Sequence, residues 1–222
     1  MESVMYKGYT IEITPDDDPI NPVEEFDGLG TMVCLHGRYR LGHKQDRSLM
    51  SLEHSKKVIS LPIYMYDHSG ITINTTGFSC PWDSGKLGFI YVEKDKIRKE
   101  YGWKKLTKKR VEQVKTYLEG EVEIYDQYLT GSVYGFQITD HEDEDIDDDG
   151  SCWGYFGYDH EKSGLLEEAR SRIDWEVNNA EDEAREYDLV FSASMEELPV
   201  LQGNLKTDIA KELVLERFKQ AA

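Results

Sequence analysis

The sequence lacks the long apolar runs, leader features and cysteine pairs that mark membrane and secreted proteins. No stretch approaches the roughly 18 apolar residues of a membrane span, and the N-terminus MESVMYKGYTIEI has no basic region followed by an apolar one. The three cysteines, Cys34, Cys80 and Cys152, are odd in number and form no CxxC pair, which is typical of free thiols in a reducing compartment. We therefore expect a cytoplasmic protein with no membrane partner.

Motifs for nucleotide and metal cofactors are also missing. The chain has no Walker A sequence and no GxGxxG that opens a helix. Its longest acidic run lacks the spacing and central glycine of an EF-hand. Cys34 and His36 are separated by one residue, and His68, Cys80 or Cys152 could complete four ligands, but zinc sites usually combine two closely spaced pairs. We expect no metal and no cofactor.

What the sequence has in excess is negative charge, and it is unevenly placed. The net charge is −18; residues 1–93 carry 8 basic and 13 acidic groups, residues 94–115 carry 10 and 3, and residues 116–222 carry 8 and 28. Such a field attracts basic partners and repels nucleic acid. Acidic surfaces also serve solubility alone, and this interpretation stays open.

The order of the predicted elements indicates an α+β fold, with a mixed, largely antiparallel sheet and helices packed on it. We expect a single domain over residues 1–222: mainly β over 1–93, a basic-to-amphipathic helical segment over 94–131, and an acidic β-hairpin plus helices over 132–222.

Individual segments give more detailed predictions. Alternation over 4–13 predicts a hairpin that turns at Lys7-Gly8, and strands over 58–66, 71–75 and 87–92 predict an antiparallel meander, with Pro62 at an edge or a bulge. Helices are predicted over 94–101 and 107–129, with Thr107 as N-cap and Gly131 after the C-terminus. Further on we expect a helix over 161–186, with Ala180 and Ala184 on its inward side, a short strand over 187–191 and a helix over 204–218.

Two groups of carboxylates are candidate partner-binding residues. The first is the tip of a hairpin between predicted strands, where eight of the ten residues 140–149 are acidic: Asp140, Glu142, Asp143, Glu144, Asp145, Asp147, Asp148 and Asp149. The second is a helix face with Glu167, Glu168, Asp174, Glu176, Glu181, Asp182 and Glu183. Because a helix rises about 1.5 Å per residue and duplex DNA carries one charge per about 1.7 Å, these groups suggest partial mimicry of nucleic acid. Solvated loops and helix faces are the plainer explanation.

As an alternative to partner binding, one set of residues suggests a catalytic function. Asp67-His68-Ser69 contains the three residue types of a hydrolytic triad, but a triad converges from separate segments, so turn capping is the better interpretation. Cys80 with His68 and Asp83 is more promising, since a thiolate nucleophile needs a nearby base. A small thiol buried beside Trp82 explains the same residues equally well.

The segment 94–115 is basic and contains Tyr101 and Trp103, which suit phosphate contact and base stacking. A solvated helix face that offsets the acidic half is the alternative. The remaining residues carry −25, which weakens affinity for phosphates, so direct binding of nucleic acid is not expected.

Several motifs carry a resemblance: YDHSGIT, SCPWDSG, YVEKDKIRKEYGWKKLTKKR, YDQYLTGSVYGF and SCWGYFG, within residues 61–157. The chain resembles a family of uncharacterised phage- and plasmid-borne proteins. The resemblance implies carriage on a mobile element, where small acidic proteins are often counter-defence factors of the anti-CRISPR or anti-restriction type. It assigns no catalytic residue.

These observations favour a non-enzymatic inhibitor in the bacterial cytoplasm. It would bind the basic nucleic-acid groove of a host defence protein, a CRISPR effector or a restriction enzyme. The alternative is an enzyme or small-molecule-binding protein that uses His68, Cys80 and Asp83 on a nucleotide immune signal. A module that recruits a basic partner without inhibiting it is a third possibility.

Overall fold

The α+β fold expected from the sequence is confirmed. The computed structural model describes residues 2–140 and 150–221, apart from the side chains of residues 220 and 221. The described strands are β1 (Glu2–Tyr6), β2 (Tyr9–Pro15), β3 (Thr31–Cys34), β4 (Val58–Asp67), β5 (Ile71–Asn74), β6 (Ser84–Glu93), β7 (Val133–Thr139) and β8 (Ser151–Phe156). The described helices are α1 (Pro22–Glu25), α2 (Lys94–Tyr101), α3 (Lys108–Leu129), α4 (Leu165–Ser192), α5 (Leu198–Gln202), α6 (Asp208–Ala221) and a 3₁₀ helix (Arg47–His54).

The chain divides by its internal contacts into two compact units. Unit 1 contains Met1–Glu12, Phe136–Cys152 and Gly164–Ala222, and unit 2 contains Ile13–Gly135 and Trp153–Ser163. Three of the boundaries fall inside β2, β7 and β8, so neither unit is a continuous stretch of chain. The expectation of one domain stays a prediction.

Unit 2 is built around an antiparallel sheet in the order β3-β6-β4-β5. The predicted meander is wrong in its order, because β6 pairs with β4 and not with β5. Residues 75–83 carry the chain back across β4, and the ten-residue strands β4 and β6 then pair from Val58↔Glu93 onwards. Pro62 lies where β4 has β6 as its only described neighbour, one residue before a bulge at Ile63, which explains how a residue without an N–H fits.

Helix α3 covers one face of this sheet. The Thr107 side chain accepts a hydrogen bond from the Arg110 N–H at the start of the helix, and Gly131 has a φ of 70° just beyond its end, as predicted. Apolar residues at spacings of three and four point inward: Val114, Leu118, Val122 and Tyr125 are buried, and Val111 and Leu129 pack against the same core. The 3₁₀ helix covers the opposite face through contacts with Phe89 and Tyr91.

Unit 1 contains the predicted hairpin turn, in which Lys7 and Gly8 have φ of 49° and 89°. It also contains α4, α5 and α6, whose buried residues include Val190, Leu198, Ala210 and Val214. The short strand predicted over 187–191 is wrong, because α4 continues to Ser192. Val190 lies four residues after buried Glu186 and so remains on the packed side of the helix.

Two other predictions for α4 need correction. Ala180 and Ala184, expected to face inward, are exposed, and Glu186 is buried in their place. The Glu186 carboxylate accepts hydrogen bonds from the backbone N–H groups of Lys206 and Thr207 and from the Thr207 hydroxyl. These donors precede α6, so a buried carboxylate joins α4 to the start of α6.

Candidate functional sites: an acidic helix and a polar groove beside a Cys-His-Asp cluster

The acidic run is located only by the strands on either side of it. Residues 141–149 lie outside the described residues, and with them Glu142, Asp143, Glu144, Asp145, Asp147, Asp148 and Asp149. Asp140 is half-buried and follows β7 directly. β7 and β8 are neighbours in their sheet, and the Ile138 N–H donates a hydrogen bond to the Gly150 carbonyl at 2.8 Å. The run therefore connects two adjacent strands.

The carboxylates of α4 do not form one face. At about 100° per residue, positions seven apart align within about 20°. This spacing places the predicted residues in three rows: Glu167, Asp174 and Glu181; Glu168 and Asp182; Glu176 and Glu183. Neighbouring rows are about 100° apart, so the seven carboxylates spread over more than half of the helix circumference. The prediction of a single acidic face is corrected accordingly.

Several of these carboxylates are paired within unit 1. Asp174 accepts a hydrogen bond from Lys7 Nζ at 2.8 Å and one from the Tyr6 hydroxyl at 3.0 Å. The hydrogen bond from Lys7 is the main reason that the pKa of Asp174 lies below its usual value. Glu168 contacts Arg172 at 3.0 Å.

Other predicted carboxylates of α4 differ in their pairing. Asp182 pairs with Arg185 and lies 3.5 Å from Lys206 Nζ. Within the described part of the chain, Glu167, Glu176 and Glu181 have no basic group within ion-pair distance. These three are the carboxylates best placed for an external partner.

The charge density of α4 is well below that of duplex DNA. The helix carries nine acidic and three basic residues over about 40 Å of length. One net negative charge per roughly 7 Å is about a quarter of the density of the duplex, which has one per about 1.7 Å. The helix therefore offers an acidic surface rather than a copy of the phosphate backbone.

The excess of acidic over basic residues is unevenly divided between the two units. Unit 1 contains 24 acidic and 8 basic residues, with seven of the acidic ones at positions 141–149, outside the described residues, and unit 2 contains 20 acidic and 18 basic residues. Nearly all of the negative surplus thus belongs to unit 1, whose segments are far apart in the sequence.

The alternative catalytic residues, His68, Cys80 and Asp83, lie together in unit 2. His68 is in the turn after β4, and Cys80 and Asp83 are in the loop before β6. Pairing of β4 with β6 brings the two loops side by side, and the Asp67 N–H donates to the Asp83 carbonyl at 2.8 Å. Asp83 Oδ2 is 3.4 Å from His68 Nδ1 and 3.8 Å from Cys80 Sγ.

The geometry of this cluster centres on a carboxylate. Asp83 stands in contact with both the imidazole and the thiol, and 64% of the His68 side chain is exposed. Nucleophilic thiolates are usually generated by an adjacent base or cation, whereas the charged group that contacts Cys80 is an anion. Asp67 pairs with Arg38 and not with its neighbour His68, and Ser69 has a φ of 59°, so the Asp67-His68-Ser69 sequence forms a turn.

An open groove of about 320 Å³ lies next to the cluster, and its lining includes His36, Arg38, Asp67, Trp82, Asp83, Ser84 and Lys86. Trp82 is 90% exposed at its rim. The arginine and the lysine that line the groove both have anionic partners, because Arg38 pairs with Asp67 and Lys86 pairs with Glu53 at 2.6 Å. The groove is thus polar and close to charge balance.

Cys34 is unsuited to the metal site considered from the sequence. It is buried in the core of unit 2, and burial raises the pKa of its thiol to about 12. Among residues 2–140 and 150–221, no three His, Cys, Asp or Glu side chains are grouped as metal ligands would be.

Sequence reasoning missed two contributors to these sites. Arg38 lies outside the predicted helices and strands, and nothing local indicates that it pairs with Asp67, 29 residues away. Lys7 was identified only as a turn residue, yet it binds Asp174. Neither pairing has a local signal, because each depends on how distant segments pack.

Comparison of the chain with protein-family models, with curated proteins and with solved structures gives no match. No helix in the described ranges combines the length and the apolar character needed to cross a membrane.

Proposed function

We propose that this protein is a mobile-element counter-defence protein that inhibits a host nucleic-acid-targeting system by binding one of its proteins. The partner surface would be a basic nucleic-acid groove of a CRISPR effector or a restriction enzyme, inside the bacterial cell. The present protein would bind this groove through unit 1, including the exposed carboxylates of α4.

The concentration of charge in unit 1 is the observation that supports this proposal. Unit 1 has three times as many acidic as basic residues, whereas unit 2 is nearly balanced. Solubility alone would be served by charge spread over both units. A concentrated field accelerates association with a basic partner and makes that association dependent on salt.

Neutralisation of selected carboxylates tests the proposal. The triple variant Glu167→Gln, Glu176→Gln and Glu181→Gln removes three charges of α4 that have no ion pair within the described residues. A matched control, Asp17→Asn, Asp18→Asn and Glu25→Gln, makes the same change at exposed positions of unit 2. We expect the first variant to bind its target more weakly and the control to bind like the unmodified protein.

The assay measures binding to purified CRISPR effectors and restriction enzymes between 50 and 200 mM salt, together with inhibition of DNA cleavage. Affinity should fall as salt rises, because the contacts are largely electrostatic. A second variant neutralises Asp143, Glu144, Asp147 and Asp148 in the acidic run. Absent or salt-independent binding, or equal loss in the unit 2 control, would contradict the proposal.

A second candidate function rests on the groove of unit 2. His68, Cys80 and Asp83 come from two separate loops and meet beside a groove with an exposed tryptophan. This arrangement supports an enzyme or small-molecule-binding protein that acts on a nucleotide signal of host immunity. His68→Ala and Cys80→Ala should then abolish turnover or binding of nucleotides, while the triple variant of α4 retains it. If both substitutions leave nucleotide binding unchanged, this candidate is rejected.

A further inference from the structure

Three aromatic rings form a stacked series in unit 2. The ring centroids of Tyr101 and Trp103 are 4.8 Å apart, and those of Tyr101 and Tyr117 are 6.4 Å apart with ring planes only 3° from parallel. Trp103 packs partly against the core, and the Arg110 guanidinium lies over its ring at 4.7 Å. Tyr101 and Tyr117 remain 38% and 43% exposed, so both still offer surface to a planar ligand.

Five exposed lysines accompany these rings along the chain, in α2, in the following loop and at the start of α3: Lys99, Lys104, Lys105, Lys108 and Lys109. In the described ranges none of them has an ion pair or a side-chain hydrogen bond. Other cations of the segment are engaged: Arg98 pairs with Asp95 and Lys115 with Glu112. The residues that the structure describes therefore provide no anion in contact with the five lysines. We call these lysines, together with Tyr101, Trp103 and Tyr117, the basic aromatic surface.

Local helix stability does not explain the position of these lysines. Lys108 and Lys109 are the first two residues of α3, and the first turn of a helix favours anions over cations. The side chain of Thr107 caps the helix without their help. An external anion would compensate for this unfavourable placement.

The negative surplus that argues against nucleic acid at the level of sequence belongs to unit 1. Unit 2, which carries the basic aromatic surface, contains 18 basic and 20 acidic residues. Of the two acidic residues of α2, Asp95 is paired with Arg98, whereas Glu100 is exposed. Residues 94–110 thus present nine basic groups against two acidic ones.

We propose that the basic aromatic surface binds single-stranded nucleic acid, with its lysines on phosphates and Tyr101 and Tyr117 stacked on bases. Exposed rings beside unpaired lysines are the two features that sequence-tolerant single-strand binding combines. A duplex hides its base faces, and an acidic peptide would use the lysines but not the rings. This inference goes beyond the proposed function and does not depend on it.

The contribution of the lysines is tested by measuring the affinity of the full-length protein for a fluorescein-labelled 12-nucleotide oligothymidylate. Fluorescence anisotropy gives this affinity at salt concentrations from 50 to 200 mM. For single strands the slope of log affinity against log salt changes by about 0.7 for each phosphate contact. The slope is negative, and the double variant Lys104→Gln, Lys105→Gln should therefore reduce its magnitude by about 1.4. The control Lys56→Gln with Lys57→Gln removes the same charge at exposed positions whose carbonyls contact Lys94, at the opposite end of α2 from Tyr101, and should leave the slope unchanged. Equal effects of the two variants would overturn the proposal.

The stacking contribution is tested at Tyr117. Loss of stacking on one base should lower affinity by about 5- to 150-fold, so we expect this reduction for Tyr117→Leu. Tyr117→Phe keeps the ring and should bind within about twofold of the unmodified protein, and circular dichroism checks that both variants are folded. No difference between Leu and Phe, or equal binding of polyglutamate of matched charge, would overturn the proposal.

The same oligonucleotide assay separates this site from the proposed function. Neutralisation of Glu167, Glu176 and Glu181 should leave oligonucleotide affinity unchanged or raise it, while it weakens binding to a basic protein partner. An equal decrease in both assays would contradict the assignment of the nucleic acid to the basic aromatic surface.

Discussion

Glu186→Gln is the substitution that tests most directly how unit 1 is held together. The buried Glu186 carboxylate accepts hydrogen bonds from the Lys206 N–H at 2.9 Å and from the Thr207 N–H and hydroxyl, both at 2.8 Å. A glutamine has the same shape, but only one of its terminal atoms accepts. With the amide oxygen at the position of Oε2, which all three donors reach, the amide NH₂ replaces Oε1 and faces the Lys206 N–H, so that 2.9 Å contact becomes one between two donors. Hydrogen bonds to a charged group contribute about 1.5–3 kcal/mol, so we expect a loss of about 2–3 kcal/mol.

The loss should depend on pH in a defined direction. Burial by itself would raise the pKa of Glu186, but hydrogen bonds from Thr207 and Lys206 outweigh it, and the pKa lies below the usual value of 4.5. A carboxylate with a lowered pKa in the folded state stabilises the fold above its unfolded pKa, and this stabilisation is lost as the pH falls through the folded pKa. Glu186→Gln should therefore lose less stability between pH 5 and pH 3 than the unmodified protein.

Urea unfolding at several pH values measures the loss of stability and its dependence on pH, and hydrogen exchange shows where in the protein the loss occurs. Amides of α6 should exchange faster in Glu186→Gln, because α6 begins next to the carboxylate. Glu216→Gln is the matched control: it makes the same chemical change at an exposed position of α6 and should alter stability by less than about 0.5 kcal/mol. If the two variants were equally stable, or if α6 kept its protection, the carboxylate would not be the link we infer.

Three further predictions follow from other parts of the structure. Gly88→Ala places a Cβ 1.8 Å from a backbone carbonyl oxygen of β3, so we expect a loss of about 3 kcal/mol or more in thermal unfolding, whereas Gly85→Ala, with nothing within 4 Å, should have a small effect. Lys7→Met should raise the pKa of Asp174 towards its usual value in an NMR titration, and an unchanged value would exclude the Lys7 contact as its cause. Cys34 should resist iodoacetamide at pH 8 while the two less buried cysteines react, as mass spectrometry would show; equal alkylation would contradict its burial.

Much of the local structure was determined by the sequence itself. The apolar spacing and the Thr107 cap defined α3, and the Lys7-Gly8 pair defined the hairpin turn. Both depend on contacts between residues that are close in the chain, because capping and turn geometry involve neighbours within about four residues. The concentration of acidic residues is likewise a property of the sequence alone.

Only the tertiary structure decided which segments meet. It paired β6 with β4, joined Tyr6 and Lys7 to Asp174, placed Asp83 between His68 and Cys80, and extended α4 through residues with high strand propensity. Local pattern does not specify these contacts, since each is chosen by packing among many segments of similar propensity, and packing overrides weak local preferences. The sequence therefore determined how much charge the protein carries, and the fold determined which of its carboxylates remain available to a partner.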